Sequence, residues 1–236
     1  MSLKVALIGY GAMGKLISGI VDERDHEVSA VIDEKYAGAD AAGLAELLKT
    51  SDVVIDFSTA SAVRRNVEAG MLAGVSVVEG TTGWASEMES IKSTVAEADG
   101  SFVFGANFSI GVNLFYRITD YASELFSRFD EYEAYLEEQH HSRKLDAPSG
   151  TALKLKSIVD ARIGRDHIVS STRAGSIPGT HRIGFDGPAD QINLEHIARS
   201  RQGFAEGAVF AAEWIAGRKG FYEFSDVMDE VLNSSR

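Results

Sequence analysis

A glycine-rich turn near the N-terminus constrains the fold of this chain more than any other feature. The short apolar run LKVALI at 3–8 leads directly into the turn at 9–14, GYGAMG, and a helical pattern of apolar residues follows. The run EVSAVID at 27–33 then ends in Asp33. A strand, a G-x-G-x-x-G turn, a helix, a second strand and an acidic residue are typical of a dinucleotide-binding unit. The sequence therefore predicts that the chain begins with a Rossmann-like fold.

The residues of this unit have separate expected roles. Gly9 permits a tight turn, Gly11 lets a pyrophosphate approach the backbone, and Gly14 lets the helix pack closely on the strand. Free N–H groups at the helix start face the phosphates. The predicted cofactor contacts here are Gly9, Tyr10, Gly11, Ala12, Met13, Gly14 and Asp33.

The residues around Asp33 bear on the choice of cofactor. Its carboxylate is expected to bind the adenosine ribose and to repel a 2′-phosphate, which favours NADH over NADPH. Glu34 strengthens this preference and Lys35 weakens it.

Further strands and helices alternate up to about residue 113. Apolar runs at 51–59, 75–83 and 101–113 are predicted strands, and the segment around 61–73 is a predicted helix. Such alternation predicts a doubly wound parallel sheet, which binds ligands at the carboxyl ends of its strands. Further cofactor contacts are therefore predicted at Gly80, Thr81, Thr82, Gly105, Ala106, Asn107 and Phe108.

The pattern changes in the second half of the chain. Helices are predicted at 114–129 and 151–164, a strand at 131–141, and strands with glycine-containing turns over 171–200. This indicates an α+β unit with an antiparallel or mixed sheet. The apolar helix at 204–217 and the segment after it are expected to return to the first domain. The predicted domains are 1–108 with 202–236 for the dinucleotide, and 109–201 for substrate binding and oligomerisation.

The segment EEQHHSRKLDAPSGTA at 137–152 concentrates ionisable groups within this second half. His140 and His141 are placed at a strand end, Lys144 in a loop, and Ser149 to Thr151 at a helix start. Histidine suits acid–base chemistry, a lysine crowded by cations gives up a proton more readily, and a helix start suits a carboxylate. Taken alone, a packed histidine pair and a solvated lysine remain open as alternatives. No metal site is predicted, because no third ligand of obvious type lies nearby.

Composition narrows the classes of partner. A net charge of -12 argues against nucleic-acid binding, so cations clustered locally indicate an anionic ligand. No run approaches the roughly 18 apolar residues of a membrane span, and the first residues are typical of a strand, not of a signal peptide. The absence of cysteine excludes disulfides and is compatible with a reducing cytoplasm.

The same segment resembles the signature E-x-x-H-H-x-x-K-x-D-A-P-S-G-T-A of the dihydrodipicolinate reductase (4-hydroxy-tetrahydrodipicolinate reductase) family. GTTG at 80–83, ANFSIGVN at 106–113, the segment from Arg173 to Phe185, and 201–214 are similar to other blocks of the family. The resemblance extends over the whole chain.

The resemblance implies a reductase of lysine and diaminopimelate biosynthesis. NADH or NADPH would deliver hydride to a cyclic unsaturated imine dicarboxylate, giving tetrahydrodipicolinate and water. His140 matches the catalytic histidine and Lys144 the proton donor, while His141, Gly150 and Thr151 match substrate-binding positions. The family also implies a cytoplasmic homotetramer. The alternatives are another two-domain Rossmann dehydrogenase of amino-acid metabolism and a non-catalytic NAD(H) sensor, which would not need His140 and Lys144.

The chain departs from the family pattern at the cofactor end. Its glycine turn is one residue shorter and lacks an arginine, and Glu34 stands where many members have a basic residue. Both departures favour NADH. Between Asp33 and Asp52 only a brief acidic connection is expected, and a missing helix there would narrow the adenine end of the site.

Overall fold

The computed structural model describes residues 2–234, which form two compact units. The first unit takes in the chain up to Ser109 and again from Phe204 onward, and the second takes in Ile110–Gly203. Elements are numbered along the chain within both units together. No helix among the described residues is long and apolar enough to cross a membrane.

The first unit is built around a six-stranded parallel sheet. Its strands are β1 (Lys4–Ile8), β2 (Glu27–Ile32), β3 (Val53–Asp56), β4 (Ser76–Glu79), β5 (Ser101–Phe104) and β10 (Gly220–Glu223). Its helices are α1 (Ala12–Glu23), α2 (Ala41–Leu48), α3 (Val63–Ala73), α4 (Met88–Glu97), α7 (Gln202–Ile215, whose first two residues belong to the second unit) and α8 (Phe224–Asn233). The strand order is β10-β5-β4-β3-β1-β2, with all pairs parallel, so the predicted doubly wound sheet is confirmed.

The position of β1 determines where a ligand binds in this sheet. β1 pairs with β2 on one side and with β3 on the other, so the chain changes direction across the sheet at β1. Every residue of β3 is buried, as expected for a strand covered on both faces. Ligands of such sheets bind beyond the carboxyl ends of the strands beside this switch point.

The second unit is a four-stranded mixed sheet with two helices. The helices are α5 (Ile110–Phe126) and α6 (Gly150–Ile163), and the strands are β6 (Glu133–His140), β7 (Val169–Arg173), β8 (Thr180–Asp186) and β9 (Gln191–Ile197). The order is β7-β6-β8-β9, with β6 and β7 parallel and the other pairs antiparallel. Buried and partly exposed residues alternate along β6, which packs Leu136 against Phe115 and Leu155 of the helices.

The prediction of a helix-free connection between Asp33 and Asp52 is wrong. A 3-10 turn at Glu34–Tyr36 is followed by α2. The Asp40 carboxylate caps this helix by accepting a hydrogen bond from Gly43 N at 2.8 Å, and Leu44 and Leu48 are fully buried. A good cap and two core leucines stabilise even an eight-residue helix, because packing outweighs its short length.

The fifth strand is also shorter than predicted. It ends at Phe104, and α5 begins at Ile110 instead of the strand continuing to 113. Asn107 Oδ1 accepts a hydrogen bond from Ser109 N at 2.9 Å, a local turn that competes with strand pairing.

Candidate functional site

A cavity of about 760 Å³ lies at the switch point of the first unit. It is lined by the end of β1 and the turn after it, by the end of β2 with the residues that follow, and by the segment from Ser58 to Arg65. Of the predicted cofactor residues, Gly9, Tyr10, Gly11 and Asp33 line it. Ala12, Met13 and Gly14 form the first turn of α1.

The glycine turn has the geometry that a dinucleotide requires. Gly9 has a φ of +84°, and a Cβ there would lie 2.3 Å from Phe57 O. A Cβ on Gly14 would lie 2.2 Å from Gly9 O, so only glycine lets α1 approach the turn this closely. A Cβ on Gly11 would meet nothing within 4 Å, and this open space beside the helix start can admit a phosphate.

Charges of both signs line the cavity. Asp33, Glu34 and Lys35 all do so, and Lys35 Nζ lies 3.9 Å from Asp33 Oδ1. Two further cations, Lys15 and Arg65, were missed by the sequence reasoning. Lys15 directly follows the last fingerprint glycine and could have been considered, whereas Arg65 reaches the cavity only because α3 packs there.

The remaining predicted cofactor residues follow β4 and β5 at the same carboxyl edge. Gly80, Thr81 and Thr82 come directly after β4, and Thr81 Oγ1 accepts a hydrogen bond from Ser58 N at 3.0 Å. Gly105, Ala106, Asn107 and Phe108 come directly after β5. Neither the residues after β4 nor those after β5 belong to the described residues that line the 760 Å³ cavity.

In the second unit a buried carboxylate lies at the centre of the predicted catalytic segment. Glu138 is on β6, two residues before His140, so both side chains lie on the same face of the sheet. Glu138 Oε1 accepts hydrogen bonds from Arg173 Nη2 at 2.6 Å, Ser171 Oγ at 2.8 Å and Ser149 N at 3.0 Å. The carboxylate therefore joins β6, β7 and the start of α6.

These donors determine the charge of Glu138. Burial alone would raise its pKa, but the hydrogen bonds from Ser149, Arg173 and Ser171 outweigh burial and lower the pKa to about 2. The carboxylate is consequently ionised at neutral pH, and it is nearly inaccessible to solvent.

His140 is the last residue of β6 and is buried beside Glu138. Its Nδ1 lies 3.4 Å from Glu138 Oε2 without hydrogen-bond geometry. Burial lowers the pKa of His140, and the positive charges of Lys144 and Arg173 lower it further. The negative charge of Glu138 acts in the opposite direction. His140 is therefore a neutral imidazole at pH 7, able to exchange a proton.

A second buried imidazole, His181, packs edge-on against His140 with ring centroids 5.1 Å apart. Its Nε2 lies 3.2 Å from Ser149 Oγ. Burial is the main cause that lowers the pKa of His181, to about 4, and His140 contributes further.

Gly179 leaves the space that the His140 ring occupies. A Cβ on Gly179 would lie 3.2 Å from His140 Nε2, and the φ of +147° favours glycine as well. Because Gly179 directly precedes β8, the antiparallel pairing of β6 with β8 brings Gly179 to His140.

Lys144 and His141 lie in the turn after β6. Lys144 N donates a hydrogen bond to His141 O at 3.1 Å, which closes the turn. Lys144 Nζ lies 2.8 Å from Asp146 Oδ1. The sequence had placed Lys144 among cations, but an acidic partner pairs with it. His141 is half-buried.

The start of α6 is the other half of this site. Ser149 caps the helix, since its Oγ accepts a hydrogen bond from Ala152 N at 3.2 Å. Gly150 is exposed, and a Cβ there would meet nothing within 4 Å. Thr151 is half-buried on the same first turn. An anion can therefore approach the positive end of a 14-residue helix.

Glu138, His140 and His181 also form a potential metal-ligand set, with one donor atom from each lying within 4.8 Å of the others. The sequence predicted no metal site, because no third ligand was found near the two histidines. That reason is wrong, since Glu138 of β6 and His181 of β8 are both potential ligands beside His140. Glu138, however, already pairs with Arg173, whose cation would repel a metal ion.

Sequence reasoning missed Glu138, Arg173 and His181 as members of the site. Glu138 could have been found, because its spacing from His140 places both on one face of a strand. Arg173 and His181 come from β7 and β8, and only the strand pairing brings them to His140 and Glu138.

Comparison with known proteins finds relatives of the same family for both units of the chain. The family model described as "Dihydrodipicolinate reductase, N-terminus" matches residues 3–108, and "Dihydrodipicolinate reductase, C-terminus" matches residues 111–228. A 4-hydroxy-tetrahydrodipicolinate reductase of Christiangramia forsetii is 33% identical over 98% of this chain and 100% of the relative. One from Archaeoglobus fulgidus is 36% identical over 96% of this chain and 100% of the relative.

A solved structure has the same fold. Dipicolinate-bound dihydrodipicolinate reductase from Paenisporosarcina sp. TG-14 aligns with a TM-score of 0.79 at 23% identity. The alignment covers 96% of this chain and 100% of that one.

Proposed function

Because this chain belongs to the dihydrodipicolinate reductase family, we propose that it reduces 4-hydroxy-tetrahydrodipicolinate at the His140 site of the second unit. The chain is an oxidoreductase of lysine biosynthesis by its family and relatives. One observation carries the proposed site. The neutral buried His140 lies near the cationic side chains of Lys144 and Arg173, in the segment that leads to the exposed start of α6. A dicarboxylate needs positive charge, and its reduction needs a proton.

The helix start of α6 would hold one substrate carboxylate. Gly150 and Thr151 lie on its first turn, where backbone N–H groups and the helix dipole favour an anion. His141, in the adjacent turn, would contact the substrate. Glu138 acts indirectly, since it holds Ser149 N and Arg173 in position.

Lys144 and His140 would manage the proton. The bound nicotinamide supplies hydride, after which negative charge on the conjugated ring must be quenched. Lys144, whose Nζ lies 2.8 Å from Asp146 Oδ1, would donate this proton. Neutral His140 lies beside the ionised Glu138, so it can take up positive charge that develops nearby.

NADH is the proposed preferred cofactor, and NADPH the second. Asp33 and Glu34 both line the cavity and disfavour a 2′-phosphate. Lys15, Lys35 and Arg65 oppose them, but the Arg65 guanidinium already donates to Ala37 O at 2.7 Å and Ala39 O at 3.2 Å. We expect kcat/KM to be higher with NADH than with NADPH. A higher value with NADPH would show that the cations outweigh the two carboxylates.

The central experiment measures NADH oxidation by the purified protein with freshly generated substrate from the preceding synthase. Turnover is expected, and a rate no higher than background would overturn the proposed function.

Lys144→Ala is expected to lower kcat at least about 10²-fold, the scale of lost acid catalysis. The matched control is Arg143→Ala, which removes an exposed cation from the adjacent position and leaves Asp146 paired. Near-normal kcat in Lys144→Ala would remove Lys144 from the mechanism.

The proposal extends to a homotetramer assembled through the sheet of the second unit, in the cytoplasm, where reduced cofactor is available. The helices α5 and α6 cover one face of this sheet. The other face carries Arg182 between Glu137 and Glu195, with Ile197 59% exposed. Light scattering is expected to give four chains for the native protein and for Ile168→Asp, a control at an exposed loop residue. Ile197→Asp is expected to give smaller species, and an unchanged mass would exclude this face.

A further inference from the structure

Two acidic side chains lie side by side inside the first unit, at the carboxyl ends of β3 and β4. Asp56 and Glu79 are directly opposite in the parallel register, and neither is accessible to solvent. The outer neighbours at this register are apolar, with Ile8 of β1 opposite Asp56 and Phe104 of β5 opposite Glu79. The row across the sheet is therefore apolar, acidic, acidic, apolar.

No cation neutralises this pair among the described residues. Helix α3 carries Arg65, but its guanidinium donates to Asn66 Oδ1, at 3.0 and 3.2 Å. Asn66 in turn donates from Nδ2 to Asp56 Oδ2 at 2.7 Å. Two ionised carboxylates in contact at a buried position would repel each other strongly.

The hydrogen bonds indicate which carboxyl group holds a proton. Both Asp56 oxygens accept from nitrogen donors, Oδ1 from Ser58 N at 2.9 Å and Oδ2 from Asn66. Glu79 Oε1 accepts from Thr81 N at 2.7 Å, while its buried Oε2 meets no N–H or O–H donor of the described residues. The two carboxyl groups lie side by side in the buried register with no cation of the described residues paired to either, so one of them must hold a proton. Glu79, whose Oε2 accepts from no described donor, is the carboxyl group that can hold it.

We propose that Asp56 and Glu79 share one proton and that this acid pair positions the backbone of the dinucleotide site. The pair fixes Ser58 N and Thr81 N, the first amides beyond β3 and β4 that it contacts, and Ser58 N also donates to Thr81 Oγ1. Ser58 and Arg65 line the 760 Å³ cavity. Asp56 and Glu79 are thus positioning residues, and this role rests on the proposed use of NADH.

The electrostatics of the pair agree with this arrangement. Burial raises the pKa of both groups, and the Asp56 charge raises the pKa of Glu79 further, well above the usual value. Removing the shared proton would leave two adjacent buried charges with no basic partner. The loops after β3 and β4 would then have to separate or admit water, so NADH affinity should fall as the pH rises.

The experiment combines infrared spectroscopy with NADH titration of the full-length protein. At neutral pH we expect the carbonyl stretch of a protonated carboxylic acid, which disappears on alkaline titration and is absent from Glu79→Gln. The amide that this substitution introduces is not ionisable, yet it can donate to Asp56 and accept from Thr81 N, so the variant should preserve the fold. The control Glu89→Gln, on the exposed side of α4, should keep the band.

NADH binding, followed by its fluorescence, tests the positioning role without any dicarboxylate. For the native protein and Glu89→Gln we expect the Kd to rise by roughly tenfold for each pH unit above the pKa of the pair. Glu79→Gln should bind as the native protein does at neutral pH and lose this dependence. Overturning results are a missing acid band in the native protein, a band unchanged in Glu79→Gln, or the same alkaline weakening in that variant. A native protein that binds NADH at no pH would contradict the proposed function, while the infrared band would still decide whether the proton is shared.

Discussion

At the scale of single residues, two buried glutamates differ in charge because their neighbours differ. Glu138 accepts hydrogen bonds from an arginine, a hydroxyl and a backbone amide, and these hold it ionised. Glu79 has a single amide donor, which does not offset burial and the charge of the neighbouring Asp56, so the neutral form of Glu79 is favoured. Burial penalises charge at both positions, so the number of donors decides the outcome.

The same scale gives a prediction for Gly179. Gly179→Ala would place a methyl group 3.2 Å from His140 Nε2 in a backbone conformation that alanine rarely adopts. We expect kcat to fall roughly 10- to 100-fold, because a small displacement of His140, the proposed catalytic group, would be costly. Steady-state kinetics would measure this.

Gly164→Ala is the control for backbone strain alone. Gly164 has a φ of +78° at the end of α6, but a Cβ there meets nothing within 4 Å. It should lose about 1 kcal/mol of stability and keep normal kcat. Equal kinetics in the two variants would show that strain, not contact with His140, is responsible.

At the scale of elements, the two helix starts that are proposed to bind anions differ in their N-caps. The N-cap of α1 is Gly11, which has no side chain to bond the first amides, so phosphate oxygens can do so. The N-cap of α6 is Ser149, whose hydroxyl bonds Ala152 N and leaves the exposed Gly150 end for a smaller anion. A pyrophosphate and a carboxylate require openings of these different sizes.

Helix α1 offers a matched pair of glycines to test its role. Gly14→Ala would put a Cβ 2.2 Å from Gly9 O, so the helix would have to move away from the glycine turn. We expect a loss of about 1–3 kcal/mol in unfolding free energy and at least roughly tenfold weaker NADH binding. Urea unfolding and fluorescence titration measure the two effects.

Gly19→Ala lies in the same helix, and its Cβ would meet nothing within 4 Å. It should raise the unfolding free energy by roughly 0.5–1 kcal/mol and leave the Kd for NADH unchanged. If Gly19→Ala weakened NADH binding as much as Gly14→Ala, close packing at Gly14 would not be the cause.

At the scale of the whole molecule, buried ionisable groups give stability two opposing pH dependences. His181 has a folded pKa of about 4, below its usual 6.5, so it destabilises the fold as pH falls through this range. Glu138, lowered from 4.5 to about 2, stabilises the fold above pH 4.5 and loses this effect as pH falls toward 2. Glu79 is shifted in the other direction, so its contribution is lost as pH rises from 4.5 through its raised folded pKa.

Urea unfolding across the pH range should therefore show a maximum, with the acid side steepest below pH 4.5, where the Glu138 contribution is lost and Glu79 no longer opposes His181. The Glu138 contribution is on the order of 3 kcal/mol, because each pKa unit corresponds to 1.36 kcal/mol. Glu138→Gln is expected to lower the maximum and flatten the slope below pH 4.5. The control Glu137→Gln, at a half-exposed neighbour on the opposite face of β6, should leave that slope intact. A native slope in Glu138→Gln would mean that other groups control acid unfolding.

Sequence by itself determined the features whose residues are contiguous. The turn after β1, the helix α1 and Asp33 follow one another, so their order alone predicts the confirmed Rossmann-like sheet. The segment from His140 to Thr151 likewise carries its own spacing, and its resemblance to the family is supported by the family model that matches residues 111–228. The helix α2 was missed because its stability comes from burying Leu44 and Leu48, which an eight-residue pattern does not reveal.

Only the tertiary structure decided which distant residues meet. The pairing of β7 and β8 with β6 brings Arg173 and His181 to Glu138, and the register of β3 with β4 sets Asp56 against Glu79. Strand order and register depend on the packing of whole faces, and a shift by one residue would turn each of these side chains to the other face. Local sequence patterns therefore located the glycine turn and the histidine segment, while sheet pairing fixed the charges around them.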